Sequence, residues 1–266
     1  MYRKQDIFEQ LKKMNAPRDG IVLMHTALRA VGAVEGGGQG LLDALIEYFT
    51  AEGGLFCVPT HTWANWGKAC PVLDLTEAYS NLGAFASLAA ADPRGLRSEN
   101  PTHSMVVFGD RARAAAFIAD DAYVETPTAP ESAYGKLYSE GGYVLLVGVG
   151  QCKNTYLHAV AEILDLPNRM EKNCTRVRVR LADGSEAVRS FRLFDCDFSD
   201  DISHRFPKYE QAFRYRGCIT DGWLGDAPTQ LCDARGMLET VRLIFGRSTG
   251  DPLATEEPIA PVTYCK

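Results

Sequence analysis

No run in this chain approaches the ~20 consecutive apolar residues that a bilayer-spanning helix needs, and the opening residues lack the apolar stretch of a secretory signal. No membrane contact is expected, and a cytoplasmic location is. Metal signatures are equally scarce. There is no Cys-x-x-Cys, no His-Glu-x-x-His and no compact Cys/His cluster, so no metal site is expected. The 8 cysteines therefore read as free thiols in a reducing compartment. Phosphate-binding loops of the Gly-x-Gly-x-x-Gly or Walker type are missing. None of the strand-to-helix junctions carries the Gly-x-Ser-x-Gly elbow of an α/β-hydrolase. Excess positive charge is absent too. The net charge of −6 argues against nucleic-acid binding and mildly favours a cationic small-molecule substrate.

What is present is ordinary globular composition, 46% hydrophobic and 23% charged over 266 residues. Ile7, Phe8, Leu11 and Met14 fall at helical spacing. An apolar strand over 21–24 leads into a glycine-rich connection over 25–40. A helix marked by Leu41, Leu42, Leu45, Ile46 and Phe49 follows, then a second buried strand over 55–58. That order is the mark of a βαβ unit and a mostly parallel sheet. Residues 60–80 form a long connection, and helix is expected over 82–91 and 111–119 around a strand at 105–108.

The run 142–150 is continuously apolar, as a strand buried on both faces should be. A helix begins directly behind it, with Asn154 or Thr155 as N-cap. Beyond residue 170 the texture changes. Residues 175–181 alternate strictly, Asp183 and Gly184 turn, and 187–193 return, which predicts an exposed antiparallel hairpin. Residues 200–216 are expected to be partly helical, 218–224 a strand, and a last helix starts at Asp233. The reading is one domain over 1–266, with a hairpin insertion at 170–195 and a loose tail at 250–266.

Several local features could carry chemistry. His158 and Glu162 are four apart on the helix behind the apolar strand, so they share one face. In an α/β protein, the carboxyl end of a strand is where ligands usually sit. The pair reads as a general base with an acidic partner, as a surface ion pair, or as two metal ligands. The 25–40 connection reads first as a tight structural turn and second as a pyrophosphate cradle. His61, Trp63 and Trp66 follow the second strand and could floor a substrate pocket or pack a lid. His103 and Ser104 are neighbours at the start of a strand, where adjacent side chains face opposite ways, so they form no hydrolytic dyad.

These features coincide in one order. His25, Thr26, Ala27, Leu28, Gly32, Val34, Gly36 and Gly37 come first, then Val58 to His61. Arg97, Asn100, Pro101, Thr102, His103 and Ser104 follow. Ser132, Tyr134, Gly135 and Leu137, the strand over 144–149, and Asn154, Thr155, Leu157 and His158 complete the set. In this order the chain resembles the aminoglycoside 3-N-acetyltransferases, a family of antibiotic N-acetyltransferases distinct from the common GNAT fold.

The resemblance implies a three-layer α/β sandwich and acetyl-CoA as co-substrate. It implies an acyltransferase (EC 2.3.1.-, 2.3.1.81) and a link to antibiotic resistance. It implies a coenzyme site at His25, Thr26, Ala27, Leu28 and Val34, with His103 and Ser104 close by. It implies His158 as catalytic base, a substrate site drawn from His61, Trp63, Trp66 and Glu162, and a cationic amine as the acceptor. The oligomeric state is left open, a homodimer included. Two departures stand out. Ala27 replaces a serine common in the first motif. The family's usual glutamate, three residues after the helix histidine, is Ala161 here, with Glu162 one step further. One step turns a side chain by roughly 100° about the helix axis. The acidic partner is then Glu162 or one of Asp165, Asp195, Asp197, Asp200, Asp201 and Glu210. Acylation of a different small-molecule amine, or coenzyme binding without aminoglycoside activity, are the alternative functions.

Overall fold

The computed structural model describes residues 1–195 and 201–265. The first half of the chain runs α1 (Lys4–Lys13), β1 (Ile21–Thr26), α2 (Gly37–Thr50), β2 (Leu55–Pro59), β3 (Leu73–Asp74) and α3 (Ala84–Ala91). Next come β4 (Leu96–Arg97), β5 (Met105–Phe108), α4 (Arg111–Ile118) and α5 (Ala133–Ser139). The second half holds β6 (Tyr143–Val147), α6 (Tyr156–Ile163), β7 (Thr175–Arg180), β8 (Glu186–Phe191) and α7 (Glu210–Tyr215). It ends with β9 (Ile219–Leu224), β10 (Ala227–Asp233) and α8 (Ala234–Arg247).

The large sheet has seven strands in the order β4-β5-β2-β1-β6-β10-β9. Parallel pairing is confined to its centre, where β1 lies between β2 and β6. The pairs β2–β5, β4–β5, β6–β10 and β9–β10 are antiparallel, so the sheet is mixed, with the parallel centre that the βαβ pattern predicts and antiparallel margins that it does not. The central strands explain their own apolar runs. Ile21 and Leu23, Leu55 and Cys57, and Val144 and Leu146 enter one core with side chains of α5, α6 and α8. The alternate residues Val22 and Met24, Phe56 and Val58, and Leu145 and Val147 enter a second core with α1, α2 and α3. Strand side chains alternate between faces, so only a strand covered on both sides can be apolar throughout. Each fully buried Leu, Val or Phe contributes roughly 1.5–3 kcal/mol relative to exposure.

Gly148 ends β6 at φ +64°, and a Cβ there would collide with the Ala30 side chain. The strand therefore stops short of the full 142–150 run. β7 and β8 pair antiparallel from Thr175 opposite Phe191 to Arg180 opposite Glu186. Their partner is unexpected: β3, from the 60–80 connection, adds in parallel to β7 and makes a three-stranded sheet. Val72, Leu73, Val177, Val179 and Phe191 form a separate apolar cluster beneath it. The tail is not loose. Leu253, Ile259 and Tyr264 are buried in the main core. Lys208 donates to the carbonyls of Pro252 and Thr255 and holds that segment down. A Gly-x-Ser-x-Gly string does occur at Gly246, Ser248 and Gly250, but it trails a helix. The Ser248 hydroxyl donates to the Ile244 carbonyl at 2.8 Å, and Ser248 does not line the cavity described below.

Candidate active site

At the carboxyl ends of β1, β2 and β6 the chain leaves the sheet, and there a cavity of about 530 Å³ opens. Three imidazoles line it: His61, His103 and His158. His61 directly follows β2, where the backbone stays paired beyond Pro59 because Thr60 and Thr62 donate to the carbonyls of Ser104 and Thr102. His103 is fixed from the other side of that pairing. Asn100 accepts from the His103 amide at 3.0 Å while its own amide donates to the Pro127 carbonyl. His158 sits in the first turn of α6, which Thr155 precedes; neither Thr155 nor Asn154 caps the helix with its side chain. Asn154 donates instead to Gln151.

The rings form a contiguous chain. His61 and His103 have centroids 4.3 Å apart, and His103 meets Phe194 edge-on at 5.2 Å. Phe194 in turn stacks on His158 at 3.9 Å, and Phe206 meets His158 edge-on at 4.9 Å. Burial among these rings disfavours the imidazolium. The His158 pKa falls to about 4, through burial first, with Asp201 opposing and Arg169 adding to the fall. Burial, and then the neighbouring histidines, push His61 and His103 well below the ordinary range. All three are therefore neutral at pH 7, and a neutral imidazole can accept a proton.

Among the described residues, Asp201 and Asp195 are the carboxylates on the cavity wall, with Lys153 as its cation. Burial works against the Asp201 carboxylate. The Ser203 N–H, which it accepts at 2.9 Å, and then His158 outweigh that and hold its pKa below the ordinary value. Glu162 lies elsewhere. Its carboxylate accepts from the hydroxyls of Thr126 and Thr128 and from the Thr128 amide at 3.0 Å, and it is not part of the cavity wall. Burial raises its pKa, and those hydrogen bonds offset part of the rise. Glu210 is bound to Arg214 and Gln230. Asp197 and Asp200 lie outside the described residues.

The remaining expected site residues divide. Trp63 lines the cavity and is 49% exposed, whereas Trp66 packs against Phe191 in the small-sheet cluster. Ser104 is fully buried; its hydroxyl donates to the Thr60 carbonyl and accepts from Arg97. His25 and Thr26 end β1 next to β6, and His25 Nε2 and Thr26 Oγ1 are both buried without a partner among the described residues. Burial takes the His25 pKa down to about 3. Leu28 and Val34 pack on the core of α1–α3, and Val34 bridges to Tyr2. None of these four lines the 530 Å³ cavity. Sequence reasoning passed over Phe194 and left Asp201 unranked. No periodicity in the sequence marks either residue.

The family model described as aminoglycoside 3-N-acetyltransferase matches residues 23–245. Aminoglycoside N(3)-acetyltransferase VII of Streptomyces paromomycinus is 28% identical over 242 residues, 82% of each chain. Two solved structures share the fold at a TM-score of 0.78. AAC-IIIb in a binary complex with CoASH is 21% identical and covers 94% of this chain and 99% of its own. AAC-VIa bound to sisomicin is 22% identical with the same coverage. The neutral histidine behind β6, the crevice at the strand ends and this match over most of the length converge: the chain belongs to the aminoglycoside 3-N-acetyltransferase family.

Proposed function

We propose that this protein is an acetyl-CoA-dependent N-acetyltransferase whose acceptor is an amine of an aminoglycoside or related amino sugar, at the 3-amino group (EC 2.3.1.81). The observation that carries the reading is the neutral imidazole of His158, held in the cavity within the field of Asp201. A substrate amine is mostly ammonium at neutral pH and cannot attack until it gives up a proton. His158 takes that proton, and Asp201 stabilises the imidazolium that forms. Acetyl-CoA, when bound, supplies a thioester whose C–S bond breaks as the new C–N bond forms. Asp195, Asp201 and the Trp63 rim receive the cationic substrate. Glu162 serves the site indirectly, by fastening the 126–128 loop.

The residues present fit the coenzyme. His25 Nε2 and Thr26 Oγ1 are buried polar atoms at the strand end that lack partners among the described residues, and such atoms are normally satisfied. Those two, with Ala27, Leu28 and Val34, would hold the coenzyme along the loop after β1. His103 would bound its reactive end, and Ser104 would contribute through the backbone it braces. Among the described residues no helix is long and apolar enough to cross a membrane. No group of three or more His, Cys, Asp or Glu among them could hold a metal ion.

A second reading keeps the chemistry and changes the amine. Its support is Ala161, at the place where the family usually carries glutamate. Thiol release from acetyl-CoA, measured against a panel of aminoglycosides, amino sugars and other amines, separates the two. Aminoglycosides are expected to raise the rate above hydrolysis. A response to other amines alone would favour the second reading, and no response would end both. His158→Ala should lower turnover by ~10²–10⁴-fold, as loss of a general base does.

A further inference from the structure

Resting on the acetyl-transfer reading above, we propose that His61 is a neutral N–H donor to the thioester carbonyl oxygen, and that Tyr134 fixes the tautomer that makes it one. Tyr134 is fully buried, and its hydroxyl lies 2.7 Å from His61 Nε2. A buried phenol proton must find an acceptor, and Nε2 is the partner within reach among the described residues. Had Nε2 carried the imidazole proton, the phenol proton would be left stranded. The accounting therefore leaves Nε2 as acceptor and puts the ring proton on Nδ1. His103 offers no such inference. Its Nδ1 meets the Thr102 hydroxyl at 2.8 Å, and a hydroxyl can serve either way.

The surroundings make His61 a fixed donor. Burial and the neighbouring His103, His25, His158 and Arg97 all disfavour its charged form. Its ring lines the same cavity as His158. Tyr134 is itself immobile. It lies in the first turn of α5, capped by Ser132 accepting from the Gly135 amide at 3.2 Å. As the amine attacks, the carbonyl π electrons move onto oxygen, and the Nδ1–H donates a hydrogen bond to that developing charge. No proton leaves His61; the electrons return to re-form C=O as the C–S bond breaks and thiolate departs. A preorganised donor in a site shielded from water is worth far more than the same contact in solution. His61 is thus a catalytic residue and Tyr134 a positioning residue.

The test reads the tautomer directly. In full-length protein labelled with ¹⁵N-histidine, long-range ¹H–¹⁵N spectra distinguish a protonated ring nitrogen from a bare one, and His61→Asn assigns the signals. Wild type is expected to show Nδ1–H at His61, and Tyr134→Phe to mix the tautomers. In turnover, His61→Ala should lose ~10²-fold in kcat with the amine KM unchanged, as removal of one oxyanion donor does. His61→Asn keeps an N–H near the Nδ1 position, so it should regain about tenfold, and it guards against an alanine variant that fails to fold. An Nε2–H tautomer in wild type, or a His61→Asn rate no better than that of a folded His61→Ala, overturns the inference. If wild type turns over and His61→Ala keeps its kcat within about threefold, this inference alone fails. If wild type acetylates no amine, the acetyl-transfer reading fails and takes the inference with it.

Discussion

The imidazole of His158 lies face to face with the phenyl ring of Phe194, centroids 3.9 Å apart and planes inclined by 13°. Phe194 therefore keeps water from one whole face of that imidazole, and its removal should be felt as a change in proton affinity. Phe194→Ala is expected to raise the His158 pKa from about 4 toward the ordinary value near 6.5. In the proposed mechanism His158 works only when neutral, so the acid limb of kcat/KM should move to higher pH in the variant. Among the described residues, Asp201 and Arg169 are the charged groups acting on the ring, and both remain. A pH–rate profile checks this; coincident acid limbs would contradict it.

Asp201 acts in the opposite sense. It raises the proton affinity of His158 and would stabilise the imidazolium formed during transfer. Asp201→Asn should move the acid limb to lower pH and reduce kcat by about tenfold, the effect of roughly 1.4 kcal/mol in the transition state. Single-turnover rates at saturating coenzyme measure the loss. An unchanged rate would remove Asp201 from the mechanism.

Glu162 should behave as a structural group. Glu162→Ala strands the hydroxyls of Thr126 and Thr128 and the Thr128 amide. The expected cost is about 1–3 kcal/mol of stability, read from the urea midpoint. Glu162→Gln should recover most of it. A large fall in kcat with no fall in stability would return Glu162 to the chemistry.

The two tryptophans should separate. Trp63 is at the cavity rim and 49% exposed, so Trp63→Ala should raise the amine KM and change stability by no more than about 0.5 kcal/mol. Trp66 packs on Phe191, so Trp66→Ala should cost roughly 1.5–3 kcal/mol with little effect on KM for the amine. Thermal melts and substrate titrations distinguish the patterns.

Which parts of the fold were readable follows from what leaves a local trace. The strands at 21–26, 55–59, 105–108 and 143–147 are apolar because both faces are covered, and that shows in the residues themselves. β10 did not, because Pro228 and Gln230 interrupt it; the weak alternation of Ala227, Thr229 and Leu231 was its one signal. Pairing direction had no local trace, so the antiparallel margins of the sheet were invisible. On the cavity wall, His158, His61 and Trp63 were legible because they follow strand ends, and His103 because it just precedes one. Glu162 shares a helix face with His158, but about 6 Å of rise separates them, enough for each to meet a different neighbour. Tyr134 lies in the run from Ser132 to Leu137 that resembles the family, yet its bond to His61 spans 73 positions and no spacing rule encodes it.

The small sheet has a consequence for how recognition could be retuned. β3 descends from the segment that carries Trp63, and β8 leads into Phe194 and Asp195. Both jaws of the cleft are thus welded to one minor scaffold, with its own oily underside. His25, His61 and His158 are rooted in the major scaffold, on or directly behind its central strands. Tilting or re-lacing the minor scaffold would reshape the mouth that greets an incoming sugar while the reacting groups stay where they are.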